Sequence, residues 1–142
     1  MRFFGVDPEV PGGLGENTVL DRADGESPTV HRLHFAFSDW LRGDLLMSHP
    51  VYLVTEPLAT ELASSGLSGL ALSQSLEVSG DGLWEQLHPQ RDPPEVWWLR
   101  INGEPSRDDF GLTEDASLIV SARALRLLRR HRLDRARVTR VD

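Results

Sequence analysis

The chain has 142 residues, 15 of them Arg, with no Lys and no Cys, and its 22 Asp and Glu leave it a net charge of −7. That length suits one domain with a real hydrophobic core. The missing residue types exclude disulfides, thiolate nucleophiles, Cys-ligated zinc, iron–sulfur clusters, the P-loop lysine and Schiff-base catalysis.

The charge is unevenly laid out. Residues 1–122 carry 7 Arg against 20 acids, a net −13, whereas residues 123–142 carry 8 Arg against 2 Asp, a net +6. An acidic body disfavours a nucleic-acid backbone as partner and suits a basic protein. Asp7, Pro8 and Glu9 stand where a signal peptide needs its apolar stretch, and no later run has the length of a membrane span. A cytoplasmic location with no membrane partner is therefore expected.

In chain order, residues 6–18 are too rich in Pro and Gly for a helix or central strand and read as a surface loop. Val19 and Leu20 begin a short extended piece, and residues 21–28 are a second polar loop. Residues 29–37 alternate as one strand, with His31, Leu33, Phe35 and Phe37 on its buried face. Ser38-Asp39-Trp40-Leu41 reads as a short helical turn with Trp40 and Leu41 inward, ended by Gly43. Val51 to Val54 is an apolar strand. Thr55-Glu56-Pro57 then opens a helix to about Ser65: a hydroxyl cap, an acid in the first turn, and Pro where a missing N–H costs nothing. Gly66 stops it, and a short strand returns over Leu67 to Leu72. Gly80 to Leu87 can hold a helical turn under Trp84 and Leu87. Glu95 to Ile101 is a strand with Trp97, Leu99 and Ile101 toward the core, which leaves Trp98 and Arg100 on the other face.

The last third repeats an earlier pattern. At an offset of 66, Leu53-Val54-Thr55 falls on Ile119-Val120-Ser121, Leu62 on Leu128, Leu67 on Leu133 and Leu72 on Val138, with Asp44-Leu45 and Asp109-Phe110 ahead of the two units. The expected fold is a single α+β domain, a mixed sheet with two packed helices from a repeated strand-helix-strand unit. Its parts are a loop-rich N-terminal region with a strand (1–42), a first unit (43–78), a connecting segment with the Trp-rich strand (79–108) and a second unit (109–142).

Motifs for chemistry are weak. Gly12-Gly13-Leu14-Gly15 lacks the Lys-Ser/Thr of a P-loop and a strand-to-helix context. His31 and His34 point to opposite faces of a strand, so no metal or cofactor is expected. The acid pair Asp108-Asp109 reads as turn chemistry. The stripe Arg123, Arg126, Arg130 reads as a solvated helix face that pairs with the protein's own acids. Trp and Arg together favour protein contacts.

The segment Tyr52-Leu53-Val54-Thr55 with Leu58 and Leu62, then Gly66-Leu67-Ser68-Gly69, and its echo Asp108-Asp109-Phe110, Leu118-Ile119-Val120-Ser121, Leu125, Leu128 and Leu133, resembles uncharacterised small actinobacterial proteins. The second half is similar to immunity proteins of bacterial polymorphic toxin systems. The resemblance spans residues 43–142 and implies a cytosolic, non-catalytic inhibitor of a cognate toxin. On this reading Trp98, Arg100, Trp40, Asp39, Asp44, Asp108 and Asp109 bind a basic partner. The alternative is a small hydrolase or ligand-binding enzyme with a site built from His34, His49, Asp39, Asp44 and Asp109.

Overall fold

The computed structural model describes residues 2–21 and 28–141. The first half of the chain forms β1 (Phe3–Asp7), β2 (Gly12–Leu14), β3 (Val19–Asp21), β4 (Thr29–Arg32), β5 (His34–Phe37), β6 (Leu45–Ser48), β7 (Val51–Thr55) and α1 (Glu56–Ala63). The second half forms β8 (Leu70–Ser73), β9 (Glu77–Gly80), α2 (Gly82–Leu87), β10 (Val96–Ile101), β11 (Phe110–Leu112), β12 (Leu118–Ser121), α3 (Ala122–Leu128) and β13 (Arg137–Val141). The class is α+β, as the sequence predicts. Among the described residues, however, the strands form four sheets with three helices rather than one sheet with two.

Two four-stranded sheets have matching layouts, β6-β7-β10-β8 and β11-β12-β1-β13. In each, the strands before and after the helix both pair antiparallel with a strand from elsewhere in the chain: β7 and β8 with β10, β12 and β13 with β1. The strands flanking each helix therefore run parallel to one another without touching. A helix crossover is what such a return requires.

Continuous burial along β7 follows from coverage on both faces. Tyr52 and Val54 enter one core, with Leu58, Ala59 and Leu62 of α1 and Leu125 and Leu128 of α3. Val51 and Leu53 enter a second core with Phe35, Phe37, Trp84 and Trp98. The helix starts follow local chemistry. Ser121 Oγ accepts the N–H of Ala124 at 3.1 Å and opens α3, and Asp81 accepts that of Trp84 at 3.0 Å and opens α2. Thr55 occupies the same position on α1, but its hydroxyl donates to Asp44 instead, at 2.6 Å.

Several expectations are corrected. Within residues 6–18 lie part of β1, the whole of β2 and the buried Glu9, whose carboxylate accepts the N–H groups of Leu41 (2.7 Å) and Gly43 (2.9 Å). Thr29–Phe37 is two strands, because β4 pairs with β3 whereas β5 pairs with β2 and β9. The change of sheet at Leu33 exposes His31 and buries His34. Residues 38–41 are not helical: the N–H groups of Ser38 and Asp39 donate to Pro11 O, and Leu41 faces solvent. On α2 Trp84 is buried but Leu87 is exposed. The polar loop expected over 21–28 lies, for residues 22–27, outside the described residues.

Tyr52 is the chain's single tyrosine. Its buried hydroxyl donates to Ala116 O at 2.8 Å, and burial pushes its pKa from 10.0 up to about 12. The unfolded chain ionises this phenol first, so stability should fall between pH 10 and about 12. Tyr52→Phe should remove that alkaline limb at a cost of about 1 kcal/mol near neutrality. Absorbance titration of phenolate together with urea unfolding checks both; ionisation of the native protein near pH 10 would contradict it.

Candidate partner-binding cleft

The carboxylates singled out from the sequence serve mainly as structural acceptors. Asp109, 6 % exposed, accepts the Ser121 hydroxyl at 2.6 Å, the Ser68 N–H at 2.9 Å and a two-pronged Arg123 guanidinium at 2.8 and 2.6 Å. The Arg123 contact holds its pKa far below the usual carboxylate range. Asp44 plays the same part ahead of α1, taking the Thr55 hydroxyl and, at 2.7 Å, the N–H of Arg132. Each of these acids thus binds the cap residue of its own helix and the loop that follows the other helix. Asp108 accepts the Glu104 N–H at 2.8 Å. Asp39 accepts from His88 at 2.9 Å and from the Trp40 N–H at 2.8 Å, and the His88 contact lowers its pKa most.

Trp98 is 7 % exposed and packs in the second core, with the Arg100 guanidinium 4.5 Å from the centre of its ring. Burial takes it out of reach of a partner. Trp40 is half-buried, donates Nε1–H to Gly43 O at 2.9 Å and lies under Arg42.

The residues of the enzyme alternative do not converge. His49 is exposed between β6 and β7, Asp39, Asp44 and Asp109 have the separate partners just described, and His34 lies on β5. His34 Nδ1 accepts the Asn17 N–H at 3.2 Å, which leaves its Nε2–H to donate to Ser79 Oγ at 2.8 Å. A histidine that donates to a serine in its neutral form is wired opposite to a base that takes the serine's proton. Among the described residues no group of three or more His, Asp or Glu is placed to hold a metal ion, and no helix is long and apolar enough to cross a membrane.

A different part of the surface has the stronger character. A cleft of about 550 Å³ is lined by Glu56, Asp92, Glu95, Trp97, Ser79 and Leu76, among others, and no Arg or His lines it. The β7–β10 register explains the acid pair. Thr55 lies opposite Val96, which brings Glu56 and Glu95 together just beyond the ladder. Two carboxylates so placed repel one another, and a cation between them would relieve the repulsion. Trp97, half-buried, supplies an aromatic wall that a guanidinium or ammonium can stack on. Two residues along the chain from Gly80 of the cleft wall, α2 begins, and it exposes Leu83 and Leu87 one turn apart.

The sequence puts Trp97 on a core face and Trp98 on a partner-binding one; in the structure Trp97 packs half-buried against the first core, whereas Trp98 is buried in the second. Glu56, Asp92 and Glu95 are not among the binding residues to which the sequence points. The signal available for two of them was the run Asp92-Pro93-Pro94-Glu95, which brings acids beside an aromatic strand. Compared with protein-family models, curated proteins and solved structures, the chain matches none.

Proposed function

We propose that this chain is a non-catalytic binding protein that captures a basic protein, its cleft receiving an Arg or Lys side chain of the partner. The observation that carries this reading is the cleft itself: three carboxylates and a tryptophan, with no cation among its lining residues. The acidic body, −13 over residues 1–122, adds long-range steering toward a basic surface. Exposed Leu83 and Leu87 supply apolar contact beside it. The resemblance to immunity proteins makes a toxin with a basic, substrate-phosphate-binding site the partner to test first, met in the cytoplasm.

An internal duplication belongs to the same reading. Supporting it are the matching sheet orders, the hydroxyl residue at the start of α1 and α3, and the crossed pairing of Asp44 and Asp109.

The test is co-expression with a candidate toxin encoded beside this chain, with growth rescue and complex kinetics as readouts. Glu56→Gln, Asp92→Asn and Glu95→Gln together should mainly slow association and flatten its salt dependence. Trp97→Ala should raise the dissociation rate by about tenfold or more, provided its melting curve shows it folded. Rescue and rates unchanged by both variants would reject the cleft as the binding site.

A further inference from the structure

The region around α3 carries the opposite charge. A cavity of about 350 Å³ is lined by Ser68, Arg107, Asp109, Ser121, Ala122, Arg123 and Arg126. Three arginines and one aspartate share that lining. Asp109 is engaged on all sides, and it grips Arg123 through Nε and one Nη2 hydrogen. A guanidinium has five donors, so Asp109 leaves three, the second hydrogen of Nη2 and both of Nη1, directed away from itself. The buried acid thus fixes the aim of Arg123 without using up its donors. Among the described residues Arg107 pairs with Glu104 alone, and both side chains are well exposed (81 % and 69 %), so that pair competes weakly. Among the described residues Arg126 has no carboxylate within ion-pair distance. It also lines a second hollow of about 350 Å³ with Arg130, Ser64 and Ser65.

The helix stripe expected to be neutralised by the protein's own acids is neutralised only at Arg123 and, through Glu61 at 2.6 Å, at Arg130. The cavity keeps a net charge of about +2 from groups whose planar forks match oxyanions.

From this geometry we propose that the Arg107/Arg123/Arg126 cavity is a binding site for a phosphate dianion, free or as the end group of a small phosphomonoester. Arg123 is the pre-aimed ligand, Arg126 and Arg107 close on the anion from either side, and the site is separate from the acidic cleft. Charge selects a dianion over chloride, and guanidinium forks, which donate to oxyanions in pairs, select a tetrahedral oxyanion over a diffuse counter-ion.

An amide NMR titration of the full chain tests this, using sodium phosphate, glycerol phosphate and sodium chloride at matched ionic strength. Saturable shifts confined to residues 66–68, 107–109 and 121–127 are expected with both phosphates and not with chloride. Arg126→Gln and Arg107→Gln should each weaken binding about tenfold or more, since neither side chain holds a buried group in place. Arg32→Gln, on β4, should leave it unchanged. Glycerol phosphate binding at least as tightly as inorganic phosphate assigns an organic phosphate ligand; the reverse order assigns free phosphate. Shifts that chloride reproduces, or that persist at full strength in Arg126→Gln, would overturn the site. The Glu56/Asp92/Glu95 variant should bind phosphate as the parent does, so the two sites succeed or fail independently.

Discussion

Replacing Leu128 with Ala is expected to lower stability by about 2–5 kcal/mol, and replacing Leu62 with Ala by a similar amount. The two side chains are 0 % and 2 % exposed and enter the same core from α3 and α1. Each truncation removes apolar contact and leaves a void that close-packed neighbours fill only in part. Urea unfolding should show a lower midpoint with an unchanged slope. The double variant should depart from the sum of the singles, because Glu61 on α1 binds Arg130 and His131 just after α3 and holds the helices together. A loss below about 1 kcal/mol for either single variant would show that its position is not close-packed.

Asp109→Ala is expected to cost about 3 kcal/mol, because it strips acceptors from the Ser121 hydroxyl and the Ser68 N–H and releases Arg123. Arg123→Ala should cost less, since that side chain is 63 % exposed and Asp109 would keep its other donors. The pH dependence separates the two roles of the carboxylate. Its pKa in the fold lies below the ordinary value, so the unfolded chain takes up the proton first as pH falls. The stabilisation is therefore complete above the usual Asp range, near pH 4 and higher, and drains away as acid brings the pH down toward the depressed folded value. Asp109→Asn should flatten that acid limb. Urea midpoints measured from neutrality to strong acid check this, and an undiminished acid limb in Asp109→Asn would assign it to other carboxylates.

The legible parts of the sequence were those set by local chemistry. Thr55-Glu56-Pro57 and Ser121 announce helix starts, and Leu58 and Leu62, with Leu125 and Leu128, carry the helical period into a core. The alternation of β10 was legible, with Trp97, Leu99 and Ile101 toward one core and Trp98 on the opposite face, but the sequence does not show that this second face is covered by a core of its own. Nor was β1 legible, five residues hemmed by Pro8 whose ladder partners lie more than a hundred positions away. The cleft escaped notice because its acids come from residues 56, 92 and 95, brought together by strand register rather than by spacing. The Arg123 stripe could be read, but its division between engaged and open cations depends on where Asp109 and Glu61 lie.

Placing β1 between β12 and β13 has a consequence for how the molecule reaches its fold. Residues 3–7 are an inner strand of a four-stranded sheet whose other strands all lie beyond residue 109. Until those strands exist β1 has no ladder partner, and both of its edges stay open. Closing that sheet means tying a loop of over a hundred residues, an entropic toll that grows slowly with length but falls early, before the contacts that reward it. Folding should therefore be slow for a chain of this size and finish only after nearly all of it has emerged from the ribosome. During that wait β1 is an unpaired apolar edge of the kind that recruits strangers.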